Sequence, residues 1–176
     1  DALDALLASH PGEFAAVVME PVAATEPEPG YLEEAKAIAH KHGALLVFDE
    51  VITGFRVSLG GAQAHYDVTP DLACFGKAMA NGMPISAVVG GRDIMSGMEE
   101  IFFSTTFGGE TLSLAAALAT LDKLRREDAI PRLRRRGAKL MAGANGVFAA
   151  HGLRETLSFG RADWWPRLPI DGPAAR

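Results

Sequence analysis

Cysteine is almost absent: Cys74 stands alone in 176 residues, so no internal disulfide can form and a reducing, cytoplasmic setting is expected. No apolar run reaches the about 18 residues that a membrane helix needs. The N-terminus carries no basic segment followed by an apolar one, so no secretory signal is expected, and the chain reads as starting inside a longer protein. Positive charge is not in excess either. The formal net charge is −5, which argues against nucleic acid as the main partner. There is no Cys/His cluster, so no metal is expected, and no glycine-rich loop of the nucleotide-binding type. Internal repeats and low-complexity tracts are missing as well. What remains is a chain that is 48% hydrophobic, enough for a real core. One local exception to the acidic balance is the run Arg132–Arg136, either a solvated helix face or a patch for an anionic ligand.

The apolar pattern marks a layered fold. Leu3–Ala8 reads as the tail of a helix, and Ala15–Val22 as a strand stopped by Pro21. Glu26-Pro27-Glu28-Pro29 makes Ala23–Gly30 a loop. Helical spacing places Leu32, Ala35, Ile38 and Ala39 on one side of a helix over Tyr31–His42, with Gly43 as its C-terminal cap. A strand over Ala44–Val51 follows. Strand, helix, strand is a βαβ unit and predicts an α/β fold with a parallel sheet. Thr53–Thr69, with Gly54, Gly60 and Gly61, is expected to be irregular. Pro70-Asp71 introduces a strand leading to Lys77, and Ser86–Gly91 is a further strand candidate. Thr111–Arg126 is a strong helix that Ile130-Pro131 ends. A second helix over Arg132–Ala150 is interrupted by Gly137, Gly143 and Gly146, a strand is expected around Glu155–Phe159, and a proline-punctuated tail closes the chain.

Chemistry concentrates where two apolar runs end in charge: Leu45-Leu46-Val47-Phe48-Asp49 and Leu72-Ala73-Cys74-Phe75-Gly76-Lys77. Charged groups at the carboxyl ends of parallel strands suggest a site at that edge. An amine and a carboxylate converging there are the two groups that pyridoxal phosphate (PLP) requires: a Schiff-base lysine and an acid that keeps the pyridine nitrogen protonated. Alternation along the strand puts Val51 on the side of Asp49, placed to pack on a ring, and turns Glu50 the other way. A strand-end Lys77 is expected to be partly desolvated, which lowers an ammonium's pKa and frees the amine to attack a carbonyl and carry a proton. Taken singly, Asp49 reads equally as a helix cap and Lys77 as a surface residue. Ser104-Thr105-Thr106-Phe107-Gly108-Gly109 offers hydroxyls and flexible backbone before a helix, for a phosphate or for ordinary capping. His40 and His42 diverge on their helix and make a poor metal pair, while His65 and Tyr66 read as loop or core packing.

In order along the chain, Met19-Glu20-Pro21-Val22, Pro29-Gly30-Tyr31-Leu32, His42–Arg56, Gly60-Gly61-Ala62-Gln63, Thr69-Pro70-Asp71-Leu72, Phe75-Gly76-Lys77 and Thr106-Phe107-Gly108-Gly109 together resemble the class III PLP-dependent aminotransferases of fold type I. The resemblance runs from about Val17 to Leu121 and is nearest the glutamate-1-semialdehyde aminomutase branch. It implies an incomplete fold type I large-domain core over residues 1–125, a mostly parallel sheet flanked by helices. Residues 126–176 would then be the start of a small C-terminal α+β domain. It also implies that Lys77 is the Schiff-base lysine, Asp49 the partner of the pyridine nitrogen and Val51 a ring contact. Thr106 would reach the phosphate of a neighbouring subunit's cofactor, and hence a homodimer is implied. Gln63 is expected near the cofactor, and Arg56 is a candidate for a substrate carboxylate or a structural ion pair. The family's upstream phosphate loop and its ring-stacking aromatic have no counterpart here, and Glu110-Thr111 stands where the aminomutase branch has asparagine-proline. The expected activity is therefore amino-group transfer between a small amino donor and a carbonyl acceptor. An aminomutase and a truncated, non-catalytic remnant are the alternatives.

Overall fold

The computed structural model describes residues 2–23, 25–160 and 162–168. Four strands form one sheet in the order β1 (Ala16–Met19), β2 (Leu45–Asp49), β3 (Leu72–Phe75), β4 (Ala87–Gly90). β1 and β2 are parallel, with Val18 opposite Val47, and β2 and β3 are parallel, with Asp49 opposite Cys74. β4 returns antiparallel to β3, Cys74 facing Val88. The sheet is thus mostly parallel, as the βαβ pattern predicts, with one reversed edge.

Helix α1 (Ala2–Ser9) precedes the sheet, and α2 (Tyr31–Lys41) is the crossover between β1 and β2. α2 buries Leu32, Ala35, Ile38 and Ala39, the face its periodicity marks. Leu32 packs with Leu46, Phe48 and Val68, which carry the core over one side of the sheet. The chain leaves α2 through Gly43 at φ 75, a left-handed conformation that a side chain resists. A short helix α3 (Gly61–His65) interrupts the loop after β2, and a 3-10 turn, Lys77–Met79, follows β3. After β4 come α4 (Arg92–Met95), a second 3-10 turn, Ser96–Glu99, then α5 (Thr111–Arg126) and α6 (Ala129–Ala150). Ala117 of α5 packs against Ala73, Phe75, Met79 and Ala80 beneath the β3 end.

Three local expectations are corrected. Thr53–Thr69 is not wholly irregular, because a buried carboxylate nucleates α3. The helix expected from Arg132 starts earlier and runs unbroken for 22 residues. Pro131 sits in its first turn, where the missing N–H has no intrahelical acceptor to lose, so the proline is accommodated. No strand forms at 155–159. There Leu157 makes an isolated bridge rather than a ladder, Phe159 N–H donates to Asn145 Oδ1 of α6 (2.8 Å), and Gly160 N–H donates to the Arg167 carbonyl (2.9 Å). The segment 162–168 folds back onto α6 and onto the loop after β2. Gly137 permits this: a Cβ there would lie 1.9 Å from the Asp163 carbonyl oxygen. The tail from Pro169 lies outside the described residues.

Candidate active site

The buried acid of the β2 end is Glu50, not Asp49. Glu50 is 0% exposed, and its carboxylate accepts hydrogen bonds from Thr53 Oγ1 (2.5 Å) and from the N–H groups of Ala62 (2.8 Å) and Gln63 (2.8 Å). It therefore caps α3 and ties the loop 53–63 to the strand. Gly61 approaches so closely that a Cβ there would lie 2.6 Å from the carboxylate oxygens. Asp49, half-buried, keeps Oδ1 on Val51 N–H at 2.9 Å, a local turn that leaves Oδ2 without a partner among the described residues. Asp49 and Glu50 thus diverge, as strand alternation predicts, and only Asp49 retains an open acceptor.

Lys77 follows β3 through Gly76, whose neighbour across the strands is Val51: a Cβ on Gly76 would meet Val51 Cγ1 at 3.6 Å. Its backbone is left-handed, φ 37, an uncommon and mildly strained state outside glycine. The chain turns out of the sheet at this residue, so Lys77 is exposed rather than partly desolvated, a correction to the sequence expectation. Its amine has no hydrogen bond or ion pair among the described residues and lines a cavity of 690 Å³ with Ile52, Arg56, Asn81, Ile85 and Trp165. Asp49 and Val51 are not among the lining residues; they stand behind it, at the β2 end paired to β3.

Thr106 is exposed and lines a second cavity of 520 Å³ with Thr105, Gly108, Glu110 and Ser113. Pro84 and Ile85 line both cavities, so the two adjoin along β4's approach. The helix amides beside Thr106 are already taken. Glu110 Oε1 accepts from Leu112 N–H (2.8 Å) and Oε2 from Ser113 N–H (2.7 Å). The adjacent Ser113 hydroxyl, which is not itself in hydrogen-bonding geometry, and these two amides hold the Glu110 carboxyl below its usual range, the amides being the contacts the geometry shows. Capping of α5 therefore falls to a carboxylate, not to the hydroxyls the sequence suggests. Gln63 lines neither cavity, and its amide serves Glu50. Arg56 makes no ion pair among the described residues; its Nε donates to the Trp164 carbonyl at 2.9 Å. Of the arginine run, Arg132 pairs with Glu127 (3.1 Å) and Arg134 with Asp163 (2.9 Å), so both are committed within the chain. His40 bonds Asp71 (2.8 Å) and His42 bonds Asp4 (2.7 Å), two separate carboxylates.

The residues fit PLP on their own chemistry. An amine without a partner among the described residues faces a cavity large enough for a cofactor-sized ligand, and a carboxylate with one free oxygen ends the adjacent strand, outside the lining of that cavity.

β2 ends in a carboxylate and the paired β3 leads through Gly76 to a lysine, and the aminotransferase class-III family matches residues 1–151. The chain belongs to the class III aminotransferases, a PLP-dependent family. It is 40% identical over 171 residues to a glutamate-1-semialdehyde 2,1-aminomutase of Roseiflexus castenholzii, covering 93% of this chain and 39% of that protein. It is 41% identical over 160 residues to the enzyme of the same name from Syntrophobacter fumaroxidans, covering 87% and 37%. Among solved structures, the FumI protein of Sphingopyxis sp. MTA144, in its PLP internal aldimine form, superposes with a TM-score of 0.88 at 31% identity, over 96% of this chain and 42% of that one. Acetylornithine aminotransferase from Elizabethkingia anophelis gives 0.82 at 29% identity, over 97% and 46%. The chain thus spans about two fifths of the curated relatives it matches.

Proposed function

We propose that this chain is the lysine-bearing core of a PLP-dependent enzyme that transfers an amino group between a small amino donor and a carbonyl acceptor. The observation that carries this reading is the free amine of Lys77 in its cavity, beside the strand that ends at Asp49. When bound, PLP supplies an electron sink for the charge released as a substrate C–H bond breaks. Lys77 would hold the cofactor through its Nζ and, once released, would serve as general base and acid for the proton. Asp49 would hold the ring nitrogen's proton through its open Oδ2, while the Val51 N–H bond to Oδ1 fixes the carboxylate's orientation. Val51 would pack on the ring. Adding PLP to the protein tests this: a visible absorbance band of a lysine-bound PLP should appear and should be lost in Lys77→Ala. No lysine-dependent band means the reading is wrong.

Thr106 would act in trans, its hydroxyl holding the phosphate of a second copy's cofactor in a homodimer. The loop that carries it supports this: Phe102 is 97% exposed, Phe103 64% and Phe107 63%, an apolar surface that a second copy would cover.

The relatives named as aminomutases favour a second reading, an intramolecular exchange on glutamate 1-semialdehyde. Supplying that compound alone, and then a panel of amino donors with keto-acid acceptors, separates the two. Turnover without any donor indicates the mutase.

A further inference from the structure

Among the described residues, the cavity that Lys77 lines carries two basic side chains and no acid: Arg56 and Lys77 are the charged residues of its wall, and the rest is neutral or apolar. The Arg56 guanidinium is fixed by one edge. Its Nε donates to the Trp164 carbonyl at 2.9 Å, while its two terminal nitrogens have no partner among the described residues. Asp163, the acid nearest along the opposing segment, is already engaged by Arg134 at 2.9 Å and so does not neutralise Arg56. Beside Arg56, Trp165 forms a wall of the same cavity. Arg167 covers its ring at 4.8 Å and Trp164 packs against it with centroids 5.8 Å apart, which hold the indole in place. An anchored guanidinium whose outer fork is open matches a carboxylate's two oxygens and loses little conformational freedom on binding one.

We propose that Arg56 is a specificity-determining residue of the Lys77 site. It captures the carboxylate of the amino donor or acceptor, while Trp165 and Ile52 pack on the apolar body of the same molecule. The substrate class is an amino or oxo acid with an apolar side chain. The segment 162–168 is then a wall of the site as well as a packing element. This assignment rests on the reading of Lys77 given above, and the two are tested by separate readouts.

The test is calorimetric titration of the protein, in the presence of PLP, with phenylacetate, with its neutral amide phenylacetamide, and with inorganic phosphate. The acid should bind at least tenfold tighter than the amide. Arg56→Gln, which keeps a donor for the Trp164 carbonyl, should bring the acid down to the amide's level; Arg56→Lys should restore part of the preference. Trp165→Ala should weaken acid and amide alike. Equal binding of acid and amide by the unaltered protein overturns the proposal without need of any variant. So does a preference that survives in Arg56→Gln, or a loss in that variant confined to inorganic phosphate, which would assign Arg56 to the cofactor. Borohydride trapping of PLP on Lys77 is read independently. Intact trapping with no acid preference overturns the Arg56 assignment alone, and absent trapping overturns the amino-transfer reading itself.

Discussion

At the residue scale, two adjacent acids divide the work of the β2 end. Asp49 keeps an open oxygen, whereas Glu50 spends its carboxylate on three donors in a fully buried place. Glu50→Gln should lower stability by about 2 kcal/mol or more in chemical denaturation, because the amide cannot satisfy the same three donors. Gly61→Ala should be similarly damaging, since its φ is 77 and the carboxylate lies in the way. Acid sensitivity belongs to this scale as well. Hydrogen bonds from Lys41 and then His42 lower the Asp4 carboxyl from 3.8 to about 2. Burial alone would raise Asp71, but the His40 contact and the Leu46 amide outweigh it and hold that group low too. Both carboxyls are depressed on folding, so their stabilisation is present above the ordinary carboxylate range and is lost as pH falls through the lowered values. Asp4→Asn should therefore flatten the acid limb of the stability–pH profile between about pH 4 and pH 2. The placement of Asp49 and Lys77 at or just past strand ends was legible in the sequence because each charge follows an apolar run. The role of Glu50 was not, because its partners include backbone amides 12 and 13 residues away. Residue type gives no sign of such a contact.

At the scale of elements, helical spacing located α2 to within a residue, and the helix propensity of alanines and leucines located α5. It failed where glycine means something other than a break. Gly137 lies inside α6 because the Asp163 carbonyl packs on it, and Gly137→Ala should detach the segment 162–168, seen as a redder, more solvent-exposed tryptophan emission. Gly143 and Gly146 have nothing within 4 Å of a Cβ. Each change to alanine should stabilise α6 by about 0.5–1 kcal/mol. The reversed direction of β4 was equally hidden, because an apolar run reads the same both ways. Of the site, the strand ends were visible in advance; the cavity wall supplied by Trp165 was not, since it depends on a return of the chain across more than 100 residues, as in the Arg56–Trp164 bond with its separation of 108.

At the scale of the whole molecule, a mostly parallel sheet sets a free amine and an open carboxylate on neighbouring strand ends, and an exposed apolar loop carries Thr106. If that loop meets a second copy, Phe102→Lys should shift the protein toward monomer in sedimentation, with the fold's circular dichroism retained. The central claim is that Lys77, among the lysines of this chain, is the one that binds PLP. Borohydride reduction of the protein incubated with PLP, followed by peptide mass spectrometry, addresses it most directly. The account predicts a phosphopyridoxyl adduct concentrated on Lys77 and lost in Lys77→Ala. An adduct spread evenly over Lys36, Lys41, Lys123 and Lys139, or no adduct at all, would contradict it.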